Sequence, residues 1–246
     1  MPATDTMDGL RLAVDEFDTQ SFDLLVEVKA LDLAARSLAE SGLLLLGELH
    51  GVQENPLIVQ GLMRALRVTT LALEWPEQLK PELNAYLTAQ GGLDHPLWWT
   101  GDGRITAGHF AVLKAMKGVR IILFDGPAAT SDWSQRDAAM ARRILDGHSE
   151  PTLVLAGNLH TQTSVTDWGT PMGAYLAAAL PAMRSIQIDY GTGTFYNFTP
   201  RRSGGQVGGP GLRSAENGEL IVGLPVFSEA TVPHLPDDLL RERYGQ

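Results

Sequence analysis

Glu48 and His50 stand one leucine apart in "LLLLGELHG", and Glu74, Asp125 and His160 close three further apolar runs, "LALEW", "ILFDG" and "LAGNLHT". Imidazoles and carboxylates are the groups best suited to move protons near neutral pH. A carboxylate beside a histidine fixes its tautomer and stabilises the imidazolium, the logic of hydrolase triads. Glu48, His50, Glu74 and His160 are therefore the candidate catalytic set. Arg136 and Asp137, adjacent in "SQRDAAMA", Asp125 and Trp99 are the candidate substrate-binding residues. The planar fork of an arginine suits a substrate carboxylate or a developing oxyanion. Asp137 has the alternative task of ordering its neighbour or a strand end. Trp98 and Trp99 can wall an apolar pocket, with at least one of them expected in the core. A metal is the competing use of Glu48, His50, Glu74 and His160, whose types suit zinc, manganese or iron. No H-E-x-x-H and no close histidine pair is present, so the spacing does not demand one. The expectation is water activation without a cofactor, with a divalent metal as the alternative.

Side chains this far apart in sequence need a rigid mount. "LLLLGE" reads as a strand buried on both faces, as in a parallel sheet. "TTLALEW", "VRIILFD", "PTLVLAGNLH" and "RSIQIDYG" read likewise. Helical patterns alternate with them: "SFDLLVEVKALDLAARSLAES", "ENPLIVQGLMRAL", "PEQLKPELNAYLTAQ", "AGHFAVLKAMK", "SDWSQRDAAMARRILDG" and "PMGAYLAAAL". This alternation predicts an α/β fold, a mostly parallel β-sheet with helices on both faces. Ligands then bind outside the carboxyl ends of the strands, where four runs each deliver an ionisable group. The expected organisation is a single domain over 1–246, with a core over about 42–190. A Gly-rich C-terminal extension over about 191–246 is expected to form a hairpin or lid, closed by the strand "LIVGLPVF" and a short terminal helix.

Composition narrows the classes. The chain has 246 residues, 44% of them hydrophobic, and a net charge of −10. An acidic chain without a basic cluster is a poor partner for nucleic acid or an anionic membrane. There is no cysteine, hence no disulfide framework or thiolate chemistry. The N-terminal stretch is acidic, and the apolar runs are too short to span a bilayer, so the expected location is cytoplasmic. No dinucleotide fingerprint, Walker A motif or G-x-S-x-G elbow occurs.

The set "GELHG", "LALEW", "QRDAAMA" and "AGNLHT", in this order and spacing, resembles the superfamily of erythromycin esterases and ChaN-like proteins, whose wider relatives include the TIKI and TraB proteins. The resemblance covers about residues 42–190. It implies an α/β fold with a cleft at the strand ends, and hydrolysis of an ester by a histidine-activated water. The TIKI branch implies a metal-dependent peptidase, and ChaN itself implies haem binding. By motif, Glu48 and His50 match the first-strand pair, Glu74 the second-strand acid, Arg136 and Asp137 the Arg-Asp pair, and His160 the late histidine. The chain departs from the macrolide esterases in three ways. Only Leu49 separates the first acid from its histidine, Gly157 stands where they tend to carry a second late histidine, and the chain is shorter. The expected function is thus a small hydrolase of an ester, lactone or amide, with secondary metabolism as a setting and a small molecule or peptide as substrate. The alternatives are a metal-dependent peptidase-like enzyme and a non-catalytic protein that binds haem or another apolar ligand.

Overall fold

The structure is a computed structural model that describes residues 3–126 and 132–244. Ser131, where the sequence pattern starts a helix, lies outside the described residues, as do the chain's first two and last two residues. In chain order the elements are β1 (Ala3–Thr4), α1 (Met7–Asp15), α2 (Val28–Ser41), β2 (Leu43–Glu48), α3 (Asn55–Leu66), β3 (Thr70–Pro76) and α4 (Lys80–Leu87). Then follow α5 (Ala107–Ala115), β4 (Arg120–Asp125), α6 (Trp133–Gly147), β5 (Thr152–Gly157) and α7 (Met172–Ala179). The chain closes with β6 (Arg184–Asn197), β7 (Thr199–Ser203), β8 (Gly211–Ser214), β9 (Leu220–Phe227), β10 (Val232–Pro233) and α8 (Asp237–Tyr244).

The main sheet has the order β4-β3-β5-β2-β6-β9-β8, with β7 paired to the far end of β6. From β4 to β9 every neighbouring pair is parallel, while β8 and β7 run antiparallel to their partners. The carboxyl ends of β2, β3, β4 and β5 therefore share one edge. Alternation along β2 shows why the sheet is rigid. Leu44 and Leu46 face a core built with α1, α2, α3 and α5, whereas Leu43 and Leu45 face Met140 and Ile144 of α6 and Met172 and Leu176 of α7. All four leucines are fully buried. Each contributes about 1.5–3 kcal/mol of burial, so the strand that ends in Glu48 is anchored on both faces.

Several elements differ from the pattern in the sequence. The helix expected from Ser21 begins only at Val28, because Leu25 and Glu27 exchange main-chain hydrogen bonds with Leu212 of β8. Strand pairing at an open edge there overrides local helical periodicity. The stretch "MDGLRLAVD", read from sequence only for its acidity, forms α1. Thr6 caps it through the Gly9 N–H, and Leu10 and Val14 bury one face. The sheet also runs on past residue 190: β6 continues to Asn197, turns at Phe198 into β7, and pairs in parallel with β9. Among the described residues no helix is long and apolar enough to cross a membrane.

Candidate active site

Two histidine–carboxylate pairs meet at the strand ends. In the first, His50 Nδ1 lies 3.0 Å from Glu48 Oε1. Glu48 Oε2 accepts from Asn55 Nδ2 of α3 at 2.7 Å. The same amide nitrogen donates to Leu49 O at 2.8 Å, and its oxygen accepts from the Tyr190 hydroxyl of β6 at 2.8 Å. Tyr190 in turn accepts from the Leu49 N–H at 3.0 Å. In the second pair, His160 Nδ1 lies 2.8 Å from Asp137 Oδ2, which also accepts from the Met172 N–H at 2.7 Å. Asp137 is fully buried, and Trp133 of α6 stacks on the His160 ring at 5.5 Å.

Glu74 sits between the two imidazoles. Its Oε2 is 4.0 Å from His50 Nε2 and its Oε1 is 3.6 Å from His160 Nε2. Oε2 accepts from the Gly157 N–H at 2.8 Å, and Oε1 from Arg136 Nη2 at 3.3 Å. Arg136 also grips Asp125 through Nε (3.3 Å) and Nη2 (2.9 Å), and its Nη1 approaches His160 Nε2 at 3.4 Å. A second guanidinium, Arg104, reaches Asp125 at 2.6 Å and is itself held by Asp102 at 2.8 Å. Glu48, His50, Glu74, Asp125, Arg136 and His160 thus form one connected cluster.

The chain shares its fold with a protein of Bacillus cereus. The identity is 12% and the TM-score 0.56, over 91% of this chain and 99% of that one. The type III effector HopBA1 is similar at 16% identity and a TM-score of 0.46, over 86% and 99% of the two chains. So is Pasteurella multocida toxin, whose C-terminal region has a thiol-protease-like catalytic triad, at 12% identity and a TM-score of 0.47, over 74% and 29%. No family model matches the chain, and no curated protein matches it in sequence.

The electrostatics follow from burial and pairing. Burial alone would raise Glu74, but the charges of His160, His50 and Arg104 and the Gly157 N–H outweigh it and hold the carboxyl down at about 2. Burial alone would lower His50, but the hydrogen bond and charge of Glu48, with Glu74 behind it, leave it above its ordinary value. Glu48 is raised, chiefly by burial. The two members of this dyad therefore compete for one proton. His109, beside Trp75, is pushed down to about 3 by burial and by the neighbouring charge of His50, so it stays neutral.

Some expected roles change. Trp99 is fully buried, with its indole N–H on Leu93 O, and presents no surface to a substrate. Asp137 likewise touches no open space and serves to hold His160. Asp125 spends both oxygens on Arg104 and Arg136, and Arg136 spends most of its fork on Asp125 and Glu74, so neither is free to serve mainly as a substrate clamp. Asn55, Arg104, Asp102 and Trp133 are absent from the sequence-based set. Among the described residues no group of three or more histidines and carboxylates is arranged to hold a metal ion. Of the alternative metal-ligand set, Glu74 turns Oε1 to Arg136 and Oε2 to the Gly157 N–H, and His160 turns Nε2 to Arg136.

Proposed function

We propose that the chain is a hydrolase of an ester, lactone or amide, in which His50 activates the attacking water. The observation that carries this reading is the asymmetry of the two histidines. His160 Nε2 is met by Arg136 Nη1, whereas among the described residues His50 Nε2 has no hydrogen-bond partner and faces a 4.0 Å gap to Glu74. With its Nδ1 proton on Glu48, His50 presents a lone pair to the cleft.

A water at Nε2 gives its proton to that lone pair as its oxygen attacks the carbonyl carbon, and the carbonyl π pair moves onto oxygen. Arg136 Nη1, the one arm of the fork not committed to a carboxylate, keeps a second hydrogen besides the one that His160 Nε2 accepts, and is the donor for that negative charge. The His50 imidazolium then returns the proton to the leaving oxygen or nitrogen as its bond to carbon breaks. Ionised Glu48 and Glu74 stabilise the imidazolium in between. The exposed Leu159, next to His160, and Trp133 give that side of the cleft an apolar rim suited to a substrate's hydrocarbon part.

The test is His50→Gln on a panel of esters, lactones and amides. Turnover of whichever substrate the wild type cleaves should drop by about a hundred- to ten-thousandfold. The unfolding free energy should move by about 1 kcal/mol or less. A parallel loss of bound metal and activity would favour the metal-dependent reading. Wild-type turnover in the folded variant would remove His50 from the mechanism.

A further inference from the structure

Tyr190 and Asn55 lie outside the cleft chemistry, yet their hydrogen bonds leave only one arrangement of hydrogens from the Leu49 N–H to Glu48 Oε2. The Leu49 N–H has to donate, so the Tyr190 oxygen accepts it at 3.0 Å. The hydroxyl then donates to Asn55 Oδ1 at 2.8 Å, which turns the amide nitrogen of Asn55 toward Glu48 Oε2 and Leu49 O. Both amide hydrogens and the amide oxygen are thereby used. Glu48 Oε2 receives a hydrogen it cannot return, which favours the ionised carboxylate, and Oε1 of that ion lies 3.0 Å from His50 Nδ1. Beside ionised Glu48 the proton of neutral His50 sits on Nδ1. Its middle is buried: Glu48 is 3% and Asn55 1% exposed. Water cannot stand in for a missing partner there at low cost.

We propose that Tyr190 and Asn55 are positioning residues that fix the Nδ1–H tautomer of His50 and so leave Nε2 free as the base. This deepens the hydrolase reading and rests on it only for the catalytic consequence; the tautomer itself is a property of the resting protein. Other groups also face the dyad: Glu74 from β3, Asp102 from the loop before α5, His109 from α5, and Glu54 near Tyr190. None of them donates a hydrogen bond to Glu48. When the donor on Oε2 is lost, every state with ionised Glu48 is disfavoured and the dyad's proton moves from His50 toward the carboxyl. The protonation step of the dyad then shifts to higher pH. A neutral Glu48 donates to Nδ1 and forces the proton of His50 onto Nε2, where it cannot act as a base.

The experiment is long-range proton–nitrogen correlation NMR on protein labelled with 15N-histidine, with the His50 signals assigned through His50→Gln. The wild type should show a protonated Nδ1 and a bare Nε2. Tyr190→Phe, which removes one oxygen and keeps the ring, should show a mixture of tautomers and a titration midpoint moved up in pH. Asn55→Ala should go further in the same direction. With an ester that the wild type cleaves, such as p-nitrophenyl acetate, Tyr190→Phe should lower kcat on the order of tenfold. The acid limb of its pH profile should move up as well. Unchanged tautomer and midpoint in folded Tyr190→Phe would overturn the proposal even if His50→Gln is inactive. Should no ester, lactone or amide be cleaved, the hydrolase reading fails, while the NMR result still decides this one.

Discussion

Glu74 shows how much a single buried side chain does here. It is 4% exposed, and a carboxylate so placed is costly unless charges and N–H groups surround it. Two arginines, two imidazoles and the Gly157 N–H do so. Because folded Glu74 binds its proton less tightly than the same residue in the unfolded chain, its contribution to stability is complete above the ordinary value of 4.5. It is lost as pH falls from there toward about 2. His50, whose folded value is raised, acts in the opposite sense. Its contribution is complete below the ordinary 6.5 and fades as pH rises through the folded value. Glu74→Gln should therefore be less stable than wild type at neutral pH, because it leaves the guanidinium groups of Arg104 and Arg136 undercompensated. Its decline between pH 4.5 and about 2 should be flatter. Urea midpoints measured across that range would show it, and parallel acid slopes in the two proteins would mean that Glu74 is not held ionised by its neighbours.

At the scale of elements, the end of β5 decides how much room the cleft has. Glu48 of β2 lies level with Gly157 of β5. A β-carbon on Gly157 would lie 3.0 Å from His50 Nε2 and 3.6 Å from Glu74 Oε2, in the space where an attacking water would bind. Gly157 does not have a positive φ, so its backbone tolerates alanine. Gly157→Ala should keep its melting midpoint within a few degrees of wild type yet lose on the order of a hundredfold in turnover. Full turnover would place the reacting water elsewhere. The strand ends were legible in the sequence because long apolar runs stopping at Glu48, Glu74 and Asp125 reflect burial in the sheet, which composition reveals; the run expected to end in His160 stops as a strand at Gly157, and His160 follows in the turn. Arg136 and Asp137 were legible as a pair but not in their tasks. Neighbours on a helix point about 100° apart, so Arg136 reaches the acids while Asp137 turns inward to His160. Tyr190 was legible as the residue that closes the run "RSIQIDYG" and could reach the cleft, but not its partner Asn55, 135 residues away. Asn55 and Arg104 carried no local signal, because Asn55 meets Tyr190 only where β2 lies beside β6, and Arg104 meets Asp125 only where its loop folds over the end of β4.

At the scale of the whole molecule, the loop that carries His50 is held by segments from three distant parts of the chain. Gly51 donates its N–H to Gly103 O at 2.9 Å, and its carbonyl accepts from the Tyr196 N–H at 3.0 Å and the Ala230 N–H at 2.9 Å. Residues after 190, which the sequence pattern sets apart as an extension, thus supply two of the three bonds that fix the position next to His50. Gly51 has φ +75°, and a β-carbon there would lie 1.8 Å from Tyr196 O. Gly51→Ala meets two obstacles: a left-handed backbone that costs alanine about 1–2 kcal/mol, and a main-chain atom that cannot rotate away. Either the β6 end or the His50 loop has to move. Stability should fall by more than the backbone cost alone, and turnover per folded molecule should fall as well, because the moving segment carries the base. His50→Gln separates these effects by losing turnover with stability nearly kept. Unfolding midpoints and turnover normalised to the folded fraction, measured on both variants, provide the comparison. A Gly51→Ala protein that is destabilised but turns over normally once folded would show that the stitch holds the fold and leaves His50 to be placed by Glu48 alone.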